Sequence, residues 1–159
     1  MDNGKVFGRR QVLAGAGVAG AAAVLGGLTN SAVARADDEG HVAGAYLITV
    51  TPTTPANTPP FPATQTLTAD GVAIGTDATS PGATDVGAWE RSGDNGFDGK
   101  FYRFLFDPKG NNIGYLTIDV HGKVDGDDIS GTFVVTLFLT GQPSRPGGNG
   151  TFAGERIKL

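Results

Sequence analysis

The sequence predicts an all-β fold, an eight-stranded antiparallel up-and-down β-barrel. Three observations carry that reading. From residue 37 onward no window sustains a helical period, and apolar and polar residues alternate instead. Clusters of Gly, Asp, Asn and Pro interrupt the alternation at short intervals. The runs between them number eight, and eight short antiparallel strands close into a small barrel that leaves no edge unpaired.

The first strand is predicted over 44–50. A Pro-rich loop, 51–62, follows, because Pro52, Pro55, Pro59, Pro60 and Pro62 deny backbone donors to a central strand. The second strand, 63–68, turns at Ala69-Asp70-Gly71 into the third, 72–76. Asp-Gly supplies the positive φ that a tight hairpin requires. A Ser/Pro/Gly-rich loop, 77–84, leads to the fourth strand, 86–92, and Gly93-Asp94-Asn95-Gly96 turns the chain into the fifth, 97–106. Asp107 to Asn111 turns it into the sixth, 112–124, and Asp125-Gly126-Asp127 into the seventh, 128–139. A Pro/Gly loop, 140–148, precedes the eighth, 149–159.

Alternation assigns faces in the later strands. In the seventh, Ile129, Gly131, Phe133, Val135, Leu137 and Leu139 should point inward. In the sixth, the inward set is Gly114, Leu116, Ile118, Val120, Gly122 and Val124. The fifth strand is aromatic on both faces, with Phe97, Phe101 and Leu105 on one and Tyr102, Phe104 and Phe106 on the other. The second face is taken as the cavity lining, with Phe101 and Leu105 covered by segment 51–62. The alternative is a subunit interface, hence a homo-oligomer.

The sequence predicts two segments, an export signal over 1–36 and a single barrel domain over 37–159. Lys5, Arg9 and Arg10 open the first, an uncharged Ala/Gly-rich run covers 12–28, and Ala34-Arg35-Ala36 has the small-x-small form of a cleavage site. The Arg9-Arg10 pair resembles a twin-arginine export signal, which implies the twin-arginine translocase as a partner and a periplasmic or secreted location. Cleavage after Ala36 would leave no membrane attachment. An uncleaved anchor is the competing reading, since 12–28 sits at the low limit for crossing a bilayer.

Composition excludes several functions. The chain has no Cys, which removes disulfides, thiolate metal sites and a thiol nucleophile, and only two His. Of 12 basic and 16 acidic residues, four basic and one acidic lie in 1–36, so the predicted mature chain has 8 against 15. That acidity argues against nucleic acid as a partner. No cofactor motif is present, and Gly15-x-Gly17-x-x-Gly20 matches a dinucleotide fingerprint by letter only, with no strand before it.

The candidate ligand-binding residues are Tyr102, Arg103, Phe104 and Glu90. The Tyr102 hydroxyl needs a partner if buried and can grip a ligand carbonyl. Arg103 shares a face with Phe97 and Phe101, where a guanidinium can hold an anion or a carbonyl; the competing reading is an ion pair with a neighbouring strand. Glu90, beside Trp89, is either a cavity acid or a surface carboxylate paired with Arg103 or Lys100. Asp119 and His121 share a face, as a carboxylate orienting a general base would, but alternation puts both on the solvent side. Asp125 to Asp128 lacks calcium-loop spacing and reads as a polar turn, and no metal site is expected.

Gly147-Gly148-Asn149-Gly150-Thr151-Phe152 resembles the last strand of the allene oxide cyclase and dirigent barrels, a calycin-like family, and Phe97 to Ile118 is similar to its middle strands. The resemblance covers roughly 97–159. It implies an eight-stranded barrel with an apolar cavity, often trimeric. The family's plant enzymes use a Glu, a water held near the first strand and a cavity Cys; this chain has no Cys and no such polar cluster in 37–50. Gly87-Ala88-Trp89 resembles the lipocalin Gly-x-Trp, whose Trp closes the barrel floor beneath a late Arg, and so implies barrel closure by Trp89 stacked on Arg156. The function expected is binding of a small apolar molecule in the cavity. The alternatives are a cyclase or isomerase, since such reactions can run on shape and one or two polar groups, and a packed structural barrel.

Overall fold

Residues 41–158 are described by the computed structural model, and the predicted signal, with Arg9, Arg10, Ala34 and Ala36, lies outside them. The described residues form eight strands and no helix: β1 (Gly44–Thr54), β2 (Phe61–Leu67), β3 (Val72–Asp77), β4 (Asp85–Ser92), β5 (Gly96–Phe106), β6 (Asn112–Asp125), β7 (Asp128–Leu139) and β8 (Arg145–Arg156). Each pairs antiparallel with the next, and β1 pairs with β8 from Tyr46↔Arg156 onward, so the sheet closes as a barrel. The Asp-Gly turns form where expected, with Gly71 and Gly126 at positive φ of 89° and 61°.

The Pro-rich segment corrects one expectation. Residues 51–62 are not all loop: β1 continues to Thr54 and β2 begins at Phe61. The β1–β2 ladder ends at Val50↔Phe61, so beyond it β1 has only β8 beside it. A strand with one neighbour tolerates Pro52, and a register shift between Pro52 and Thr54 absorbs the irregularity. For the same reason β8 starts at Arg145 rather than Asn149, with a shift after Val135 accommodating Pro146. Its far end is Arg156, where it meets Tyr46 at the start of β1.

The period-two reading of β6 and β7 holds except at Thr117, which belongs to the outward set and is nonetheless buried. Gly114, Val120, Gly122, Val124 and Ile129 are buried, whereas Tyr115, His121, Lys123, Thr132 and Val134 are exposed. On β5 the structure chooses the face: Phe97, Phe101 and Arg103 are buried, and Tyr102, Phe104 and Phe106 are exposed. Segment 51–62 does not cover Phe101, which sits inside the barrel.

One end of the barrel is packed solid. Val42, Tyr46, Leu67, Phe97, Val124, Ile129 and Phe152 form its core, and each fully buried side chain there contributes about 1.5–3 kcal/mol. Trp89 meets Phe97 edge-on, with ring centres 6.4 Å apart, and its Nε1 donates to the Thr68 carbonyl at 2.9 Å. Gly122 makes the packing possible: a Cβ there would lie 2.6 Å from the Phe97 ring. The chain entering β1 plugs this end, because Arg156 donates to the carbonyls of Ala43 (2.7 Å) and His41 (2.5 Å), and Tyr46 Oη donates to Val42 O at 2.6 Å. Burial raises the Tyr46 pKa, with Arg156 opposing, so the hydroxyl keeps its proton for that bond.

Candidate functional site: a cavity in the open half of the barrel

Toward the opposite end, where β3 hands over to β4, the inward side chains stop meeting across the barrel. A cavity of about 200 Å³ remains. Its walls are apolar, with Ile48 and Val50 from β1, Phe61 and Ala63 from β2, Leu116 from β6 and Phe133 from β7 among them. Small inward residues contribute to the space: Ala63 and Gly75 stand where larger side chains would fill it.

Polar side chains interrupt these walls: Gln65, Asp77, Asp85 and Arg103, with the threonines Thr64, Thr76 and Thr79 beside them. Alternation on β4 turns Asp85 inward with Gly87 and Trp89, and on β5 it turns Arg103 inward with Phe101. Their guanidinium and carboxylate meet two-pronged, Nε to Oδ1 and Nη2 to Oδ2, both at 2.6 Å. Nη2 also donates to Asp77 Oδ2, and Nη1 donates to Ser80 Oγ at 2.9 Å. The other Asp77 oxygen accepts from Thr79 N (2.8 Å), Thr79 Oγ1 (2.6 Å) and Ser80 N (2.9 Å), which folds the β3–β4 loop onto the cluster.

Burial acts to raise the Asp77 pKa, but the Thr79 and Arg103 hydrogen bonds outweigh it, and the carboxyl is held below its ordinary value. Burial likewise opposes the charge on Arg103, and the two carboxylates more than compensate, holding its pKa above the ordinary one. The cluster is thus a permanent guanidinium between two acids, a formal charge of −1 sealed into the wall. Its groups are mutually satisfied. Gln65 is not: it is 5% exposed, and its Nε2 has no hydrogen-bond partner in the protein.

Only one of the four ligand-binding residues expected from sequence lies inside. Arg103 lines the cavity, as an ion-paired wall rather than a free anion site. Tyr102 and Phe104 do not line it; they are 47% and 67% exposed on the outer face, where Tyr102 neighbours Tyr115 and Tyr115 stacks on Phe138 at 4.7 Å. The reason is parity: Arg103 finds its two acids only on the inside, which turns the residues beside it outward. Glu90 is likewise exposed on the outer face of β4, opposite Trp89, and Lys100 pairs with Asp119 at 2.9 Å instead. Asp119 and His121 are surface groups with different partners, His121 Nδ1 meeting Asp98 Oδ1 at 2.6 Å.

The expected Trp89–Arg156 stack does not form. Arg156 lies over the Tyr46 ring, 4.9 Å from its centre, because β8 pairs with β1 while Trp89 is on β4. Both residues nonetheless belong to the closed end. Among the described residues no three His, Asp or Glu side chains gather as a metal site. Sequence reading missed Gln65, Asp77 and Asp85. The signal for Gln65 was its place in the alternation Ala63, Gln65, Leu67, and that for Asp85 was its two-residue spacing from Gly87 and Trp89. Compared with known protein families, curated proteins and solved structures, the chain matches none.

Proposed function

We propose that this chain is an exported barrel that binds a small, largely apolar molecule in the open half of its interior. The supporting observation is the division of that interior: one end is filled with aromatic and aliphatic side chains, and the other keeps a cavity of about 200 Å³. Apolar walls with a few convergent polar groups are the usual makeup of small-molecule sites. The volume is below the roughly 300–1,000 Å³ typical of drug-sized ligands, so the occupant is small or inserts one apolar limb. The likeness of 97–159 to allene oxide cyclase and dirigent barrels supports the same reading. Arg9-Arg10 and the Ala34-Arg35-Ala36 site support export through the twin-arginine translocase, with a mature N-terminus at Asp37.

The test is untargeted mass spectrometry of small molecules released by organic solvent from protein recovered after native export. A Phe133→Trp variant, with the extra ring in the cavity, is processed beside it. The expected result is an apolar compound in near-stoichiometric amount from the wild type and its loss from the variant. Equal recovery from both, or none from either, refutes the reading. Replacing Arg9 and Arg10 by Lys should hold the precursor in the cytoplasm; normal export of that variant refutes the route.

A further inference from the structure

Gln65 brings two N–H donors into the cavity wall, at a depth where a lone polar group is costly. A buried amide left without an acceptor is the exception in folded proteins. Around it, most of the other polar groups are committed elsewhere: Thr64 and Thr76 bond each other, and Thr79 bonds Asp77. Gln65, Gly75 and Asp85 occupy one cross-strand row, and Arg103 reaches Asp85 from β5. Four of the five guanidinium N–H groups are engaged by Asp85, Asp77 and Ser80. Both Asp85 oxygens and both Asp77 oxygens accept hydrogen bonds.

We infer that Gln65 selects the ligand, and that the ligand is a neutral apolar molecule carrying a carbonyl-type acceptor: a ketone, ester, lactone or amide. This rests on the binding reading above and adds the chemical class. A carbonyl oxygen offers two lone pairs to the Gln65 amide, and the remainder of the molecule faces the apolar wall. An anion is disfavoured, because the only charged side chains lining the cavity are Arg103 and the two acids that more than neutralise it. An ammonium has no lone pair and would leave the Gln65 donors unpaired. Gly75 keeps the row open between Gln65 and Asp85, because it has no side chain to stand between them.

The experiment is calorimetric titration at pH 7 of four probes of equal chain length: 2-octanone, octanoate, octylammonium and 1-octene. Each is run against the wild type and against Gln65→Met, which keeps the side-chain length and removes the donor. The expected result is that 2-octanone binds the wild type best and loses about five- to tenfold in affinity in the variant. 1-Octene should bind both alike. If octanoate or octylammonium binds as well as the ketone, the selection for a neutral carbonyl is wrong. If Gln65→Met binds 2-octanone unchanged, Gln65 is not the selecting residue. If none of the four binds, 1-octene included, the binding reading itself fails and this inference with it. The wild-type series decides the charge question even if the variant does not fold.

Discussion

The two ends of the barrel are built from the same eight strands, yet one is filled and the other is not. At the closed end the inward positions hold rings, and two inward glycines make room for them: a Cβ on Gly122 or Gly131 would come within 2.7 Å of Phe97 or Phe152 ring atoms. The entering chain adds Val42 as a plug, held by Arg156 and Tyr46. At the open end the inward positions hold Ala63, Gly75 and a cluster of charges that satisfy one another along the wall. Paired charges stay where their partners are, and they do not cross the barrel to fill it. The difference teaches that the cavity is a product of which residues alternate inward, not of barrel size, because the same eight strands run through both halves.

Substitutions placed in the two halves test that contrast. The largest effect belongs to Phe97→Ala at the closed end, expected to cost about 3–5 kcal/mol in urea unfolding because the ring is fully buried. Phe133→Ala, at a ring already facing the cavity, should cost about 2 kcal/mol, since it forfeits fewer contacts. Equal costs would mean the two halves are packed alike. Next comes one substitution with opposite signs. Gly122→Ala should destabilise by about 1–3 kcal/mol, because its Cβ meets the Phe97 ring at 2.6 Å. Gly75→Ala should stabilise by about 0.4–1 kcal/mol, because its Cβ meets nothing closer than 3.5 Å and the unfolded chain loses freedom. Destabilisation by both would erase the distinction.

A smaller effect is expected from pH, and it belongs to the open half. The folded-state pKa of Asp77 lies below the unfolded value of about 3.9, so its contribution is complete above that pH and is lost as pH falls through the folded value. Asp70, Asp98 and Asp107 shift the same way at the surface. Asp77→Asn should therefore flatten the acid limb of a stability–pH curve without removing it; an unchanged limb would mean that Thr79 and Arg103 do not hold the Asp77 carboxylate. The smallest effects lie outside the barrel. Thr132→Ala and Tyr102→Phe should each change stability by less than about 0.5 kcal/mol. Tyr102→Phe should also leave the binding of 2-octanone unchanged. Weaker binding would return Tyr102 to the interior and reverse the face of β5.

The sheet was legible in the sequence because period-two alternation and Asp-Gly turns are local signals. β6 and β7 each carry one apolar face, so their inward residues could be read directly. β5 could not be read that way, since Phe and Tyr occur on both its sides and hydrophobicity gives no direction. The deciding residue is Arg103, whose partners lie 18 and 26 positions away in Asp85 and Asp77. That is information only the closed sheet brings together. Asp77 was hidden for a related reason: it looked like the first residue of a polar loop, and its role appears only when the loop folds back on the mouth. The prolines in 51–62 misled because their cost depends on whether a second neighbouring strand is present, which no local window reveals.

The seam between β1 and β8 governs when this fold can exist. Tyr46 and Arg156 are brought together across nearly the whole described chain, and β8 is the last of the strands to be synthesised. Until it emerges from the ribosome, β1 and β7 each present an unmatched row of backbone donors and acceptors, open to pairing with other nascent chains. The plug on the closed end waits as well, because Arg156 holds it. Closure therefore cannot precede the synthesis of β8, and a chain cut short before that strand keeps two unpaired borders and an unsealed floor.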